Sequence, residues 1–141
     1  MIDIENIIFE NVAKAVLAVY PDALITSEKT DTPSSFPCVC VTEEDNNTHK
    51  ASLDTSLTEN NANLMYSVSV FTNNTTGKKT IAKKIANIAD EAMQNMKFIR
   101  IVLSPIPNVD GRIYRIEGRY TAIVAKAQNI GDDTIYQMYR Q

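Results

Sequence analysis

Apolar residues at Ile4, Ile7, Ile8, Val12, Ala15, Val16 and Val19 fall three or four apart, the spacing of one helix face. The stripe predicts an amphipathic helix over residues 3–20, with Asp3 as N-cap and Pro21 closing the segment. A second stripe, Ile81, Ala82, Ile85, Ile88, Ala89, Ala92, Met93 and Met96, predicts another helix over residues 78–96. Between and after the helices the period drops to two. Tyr66, Val68 and Val70 alternate with Met65, Ser67, Ser69 and Phe71, which predicts a strand over residues 63–72. Residues 112–125 alternate in the same way: Tyr114, Ile116, Gly118, Tyr120, Ala122 and Val124 form a buried set, and Arg115, Glu117 and Arg119 make the opposite set polar in its middle.

Shorter strands are expected at 23–26, at 38–43, at 98–104 and, as an edge strand, at 134–140. The Asp110-Gly111 dipeptide marks a hairpin turn before the long strand. Residues 28–37, with Pro33 and Pro37, read as a polar loop. A longer polar loop is expected at about 45–61, where Asn, Thr and Ser dominate without a period; loops of this length tend to be functional or to order against a partner. The economical packing is a single α/β (α+β) domain over 1–141: a largely antiparallel mixed sheet with the two amphipathic helices on one face. The other face carries charge and meets water or another subunit.

Charge refines this picture. Residues 1–60 hold 11 acidic side chains against 3 lysines, a net −8, and residues 61–141 hold 11 basic against 6 acidic, a net +5. Mixed signs on a solvated surface would explain this; so would an acidic face and a basic face that meet head to tail between copies. Lys78, Lys79, Lys83 and Lys84 load the first half of the second helix with positive charge, the end where the helix dipole disfavours cations. A partner would account for that placement where local stability does not.

Candidate chemistry adds little. No apolar run reaches the roughly 18 residues of a membrane span, so no membrane is expected as a partner. The acidic start, Met-Ile-Asp-Ile-Glu-Asn, lacks the positive charge of a secretory signal, and the sequons at Asn46, Asn73 and Asn74 then read as chance matches. Cys38 and Cys40 share one strand face and read as buried thiols; a metal would need further ligands, and His49 is the only histidine. Residues 75–80, Thr-Thr-Gly-Lys-Lys-Thr, have Thr72 where a phosphate-binding loop would need its first glycine. Glu43, Glu44 and Asp45 read as a solvated acidic run at a strand end. No catalytic residue, cofactor or metal is expected. Arg112, Arg115 and Arg119 with Tyr114 and Tyr120 could present a nucleic-acid surface, but the tyrosines alternate away from Arg115 and Arg119, and the chain is acidic overall.

Residues 66–125 run Tyr-Ser-Val-Ser-Val-Phe-Thr-Asn, then Gly77-Lys-Lys before a helix, Phe98-Ile-Arg, Pro105-Ile-Pro107-Asn, and Ile113-Tyr-Arg-Ile-Glu-Gly-Arg119-Tyr. That succession resembles the tail terminator and minor capsid-like, head–tail joining proteins of tailed bacteriophages and phage-derived particles. The resemblance implies a virion structural protein, assembled in the bacterial host cytoplasm and located in the tail or neck. Its subunits would form a hexameric ring that caps the tail tube, ends its polymerisation and offers a docking surface to the head connector. Implied partners are further copies of the chain, the major tail tube protein and a head–tail connector or neck protein, with DNA passing through the lumen without sequence-specific binding. Another neck or head–tail joining protein, or a nucleic-acid-binding module, is the alternative. The residues expected at a subunit or tube interface are His49, Lys50, Lys78, Lys79, Lys83, Lys84, Arg112, Arg115 and Arg119.

Overall fold

The computed structural model describes the backbone of residues 3–30, 32–48, 61–108, 110–130 and 133–139. The elements in chain order are α1 (Glu5–Leu17), β1 (Leu24–Thr26), β2 (Cys38–Thr48), β3 (Asn61–Thr72), α2 (Lys78–Asn95), β4 (Ile99–Pro105), β5 (Tyr114–Ile130) and β6 (Asp133–Tyr139). They form an α+β domain around one six-stranded mixed sheet with the strand order β1-β2-β3-β5-β4. β1 runs parallel to β2, and every other pairing is antiparallel. β3 pairs with residues 114–125 of β5. β4 takes residues 116–121 on the opposite edge of β5, and β6 follows along that edge from Ile123 to Ile130.

Both helices lie on one face, as the two stripes require. α1 buries Ile8, Val12 and Val16, and α2 buries Ala82, Ile85, Ala86, Ala89 and Met93. Against them the sheet turns Val39, Val41, Leu64, Tyr66, Val68, Val70, Ile116, Tyr120, Ala122 and Val124 into the core. Phe98 enters the same core and meets Tyr66 edge-on, with ring centroids 5.7 Å apart. α1 sits against α2 and β2, while α2 lies over β3 and β5.

The boundaries correct three expectations. Asp3 is not the N-cap: the helix starts at Glu5 with Ile4 in the cap position, and Asp3 instead accepts the Glu5 N–H at 3.1 Å. The first helix ends at Leu17; Val19 and Tyr20 lie in a tightened turn whose amides bond back to the Val16 carbonyl. Residues 45–48 and 61, expected in the polar loop, are strand, because the ladder continues from Glu43↔Tyr66 through a bulge to Thr48↔Ala62; residues 49–60 lie outside the described residues. The turn signal at Asp110-Gly111 is borne out: it lies between the antiparallel strands β4 and β5, and the turn closes from the Asp110 carbonyl to the Ile113 N–H at 3.0 Å.

The parallel β1–β2 pair has a consequence for the bare face. Parallel neighbours require a crossing connection, and Glu28, Lys29 and Thr30 of that connection lie against the side of the sheet opposite the helices. There the Glu28 carbonyl accepts from the Cys40 thiol at 3.0 Å.

Candidate functional site: a polar concavity on the bare sheet face

Alternation along β2, β3 and β5 sends one set of residues to the helices and the other to the opposite face. Register then places the second set in rows: Cys38, Phe71 and Arg115; Cys40, Ser69 and Glu117; Thr42, Ser67 and Arg119. With Lys29 and Thr30 from the crossing segment and Glu44 beyond Thr42, all of these side chains except that of Cys38 line a concavity of about 420 Å³. One end is apolar, where Cys38, Cys40 and Phe71 form a small buried cluster. The middle is polar and closely bonded.

Glu44 organises the polar end. Its Oε1 lies 2.7 Å from the Ser67 hydroxyl and 3.1 Å from the Thr42 hydroxyl, and its Oε2 takes a 3.0 Å ion pair from Lys29. The two hydroxyls are also 2.8 Å from each other. Two hydroxyl protons serve three contacts, so at any moment one contact is unmade, and the group can re-pair when a new donor or acceptor arrives. Burial raises the Glu44 carboxyl, but the hydrogen bonds from Ser67, Lys29 and Thr42 outweigh it and hold the group below the usual carboxylate range. At the other end the Arg115 guanidinium stacks over the Phe71 ring, 5.1 Å from its centroid.

Burial disfavours the thiolate form of both cysteines. Burial, followed by the neighbouring Cys40, pushes Cys38 up to about 11, and burial also raises Cys40 against the opposing pull of Arg115. The reactive form is the thiolate, so this burial works against reactivity and fits small groups packed beside Phe71. Among the described residues no cluster of three or more His, Cys, Asp or Glu side chains could hold a metal ion. The concavity can donate and accept hydrogen bonds and offers both signs of charge. That chemistry suits the polar side chains of another protein surface.

The expected interface residues do not form one patch. His49 and Lys50 lie outside the described residues. Lys78 and Arg112 meet at one end of the sheet, where the Lys78 ammonium donates to the Arg112 carbonyl at 3.3 Å and Arg112 pairs with Asp110 at 2.9 Å. Lys79 and Lys83 line a second groove, of about 380 Å³, between α2 and β4 with Arg100, Leu103, Pro105 and Ile116. Lys84 is exposed on α2. Only Arg115 and Arg119 line the polar concavity. Tyr120 is buried on the helix side of the sheet, so it cannot stack a base beside Arg119.

The acidic run also differs from expectation. The bulge between Glu43 and Asp45 splits it: Glu43 accepts from the Tyr66 phenol at 3.1 Å on the helix side, while Glu44 serves the concavity. Sequence reasoning missed Lys29, Glu44, Ser67 and Glu117 as neighbours. The alternation of Ser67 and Ser69 opposite a buried set was the available signal; the register that brings Lys29 and Glu44 to them was not.

No protein-family model matches the chain, and no curated protein matches it.

Proposed function

We propose that the chain is a structural subunit of a phage tail or phage-tail-like particle, forming a ring that caps the tail tube, ends its polymerisation and gives the head connector a surface to dock on. The reading rests on the resemblance carried by residues 66–125. Within the fold, the observation that favours it is the placement of charge. The strand order sets the acidic N-terminal half (α1, β1, β2) at one edge of the sheet and the basic C-terminal half (α2, β4, β5) at the other. Such a polarity suits heterologous contacts, in which one face of a copy meets a different face of the next.

The polar concavity adds a third surface, on the sheet face away from the helices, for a neighbour in the particle. Its mixed signs argue against a grip on DNA, because Glu44 and Glu117 stand among Lys29, Arg115 and Arg119 where a phosphate backbone would have to lie. The test is tube growth: added to polymerising tail tube protein, the chain shortens tubes in proportion to its concentration and cosediments at tube ends. Tubes of unchanged length, with all the chain left in the supernatant, contradict the reading.

A further inference from the structure

Four large hydrophobic side chains are exposed among the described residues, two at the end of α1 and two on the edge strand β4. Leu17 and Val19, 38% and 59% exposed, sit where α1 turns toward β1. Ile101 and Val102, 55% and 43% exposed, sit on β4. β1 and β4 are the two ends of the strand order, and among the described residues neither has a strand paired to its outer edge. An open strand edge bearing apolar side chains is a template for pairing with another chain.

The charges beside the two edges are opposite. Asp22 and Glu28 flank β1, both exposed; the one lysine between them and β2, Lys29, is tied to Glu44. Lys97 stands just before β4, and Lys79 and Lys83 rim the groove that runs beside it; Arg100, at the start of β4, is tied to Asp90 as Lys29 is to Glu44. The groove floor, Ala86, Leu103 and Ile116, continues the apolar surface inward from the edge. Two β4 edges brought together would set like charges against each other. A β4 edge against a β1 edge pairs opposite ones.

We infer that copies of this chain join head to tail, the β4 edge of one seating Ile101 and Val102 against the Leu17–Val19 corner and β1 edge of the next. This rests on the functional reading above and names the surfaces through which the copies meet. The joint is heterologous, so repeated use closes a ring or extends a filament. Ile101 is the bulged residue, between Arg100↔Tyr120 and Val102↔Arg119, and its side chain is left 55% exposed.

The experiment uses two full-length variants, each blocking one edge. Ile101→Asp places a carboxylate opposite the acidic edge, and Val19→Lys places an ammonium opposite the basic one. Both sites are more than half exposed, so folding is expected to be preserved, and circular dichroism verifies it. Val102→Asp and Leu17→Lys replace either variant that fails to fold. By light scattering, each variant alone stays monomeric at concentrations about tenfold above those at which the unaltered chain assembles. An equimolar mixture associates, because each variant keeps the edge that the other has lost. Val19→Lys forming dimers by itself overturns the inference in favour of β4-to-β4 pairing. Assembly of both variants like the unaltered chain removes the edges from the joint and leaves tube capping standing. A chain that stays monomeric without substitution overturns the inference, and the tube-growth assay then decides the functional reading separately.

Discussion

The Tyr120 phenol donates a 2.8 Å hydrogen bond to Oδ1 of Asp90, so a strand residue reaches through the core to a carboxylate on the helix above it. Asp90 is only 4% exposed. Its charge is met from three elements: Tyr120 on β5, Arg100 on β4 at 3.1 Å, and Gln94 one turn along α2 at 2.6 Å. A buried carboxylate is tolerable only when bonded in this way. The network therefore fixes how α2 sits on the β4–β5 hairpin, next to the edge assigned to assembly.

Removing the phenol tests that link. Tyr120→Phe keeps the ring and deletes one donor to a buried charge, which is expected to cost about 1–3 kcal/mol. Urea denaturation measures it. A change indistinguishable from zero would mean that the carboxylate is satisfied without β5.

Gly118 makes room for this arrangement. A Cβ built there would lie 2.9 Å from Cε2 and from the phenol oxygen of Tyr120, and 3.2 Å from Cδ1 of Leu103. The Tyr120 ring thus folds back across Gly118 on its way to Asp90. Gly118→Ala is expected to destabilise by about 1–3 kcal/mol through overpacking, and the loss should shrink in a Tyr120→Phe background, where the phenol oxygen is absent. Equal losses in both backgrounds would place the strain elsewhere.

At the end of α2 the chain turns through Lys97 at φ 72°, a left-handed conformation that favours glycine. The Phe98 N–H bonds the Met93 carbonyl at 3.0 Å and the Lys97 N–H bonds that of Gln94 at 2.9 Å, the paired pattern of a Schellman cap. Lys97→Gly is expected to stabilise the fold by about 1 kcal/mol, read as a rise in melting temperature. A fall would show that the lysine side chain contributes more than its backbone costs.

Glu44 and Cys38 give opposite pH signatures. The folded protein holds the Glu44 carboxyl below its ordinary range, so its contribution is complete above the unfolded value and is lost as pH falls through the folded one. The stability gap between the unaltered chain and Glu44→Gln should be wide at pH 7 and close below about pH 4. Cys38, pushed up to about 11 from 9.0, contributes below its unfolded value and loses that contribution as pH rises through the folded one. Stability should decline between pH 9 and 11, and less steeply in Cys38→Ala. A parallel decline in both proteins would assign the loss to other groups.

Much of this architecture is legible in the chain. The helix stripes fix α1 and α2, and the alternation of residues 114–124 marks which side of β5 faces the core, because one apolar face must be buried wherever the period is regular. What escapes is long-range. Asp45–Thr48 has the composition of a loop yet extends β2, since pairing with residues 62–65 overrides local preference. The concavity depends on a register between segments distant in sequence: Lys29 reaches Glu44 only because β1 runs parallel to β2 and its part of the connection lies against the bare face. The basic residues were visible singly; their dispersal over three surfaces was set by strand order.

Native mass spectrometry of the purified 141-residue chain, alone and mixed with the tail tube protein proposed as its partner, decides whether the chain assembles. A closed ring of six copies is expected, and a heavier species when the tube protein is present. A single copy in both samples, even at high concentration, contradicts it.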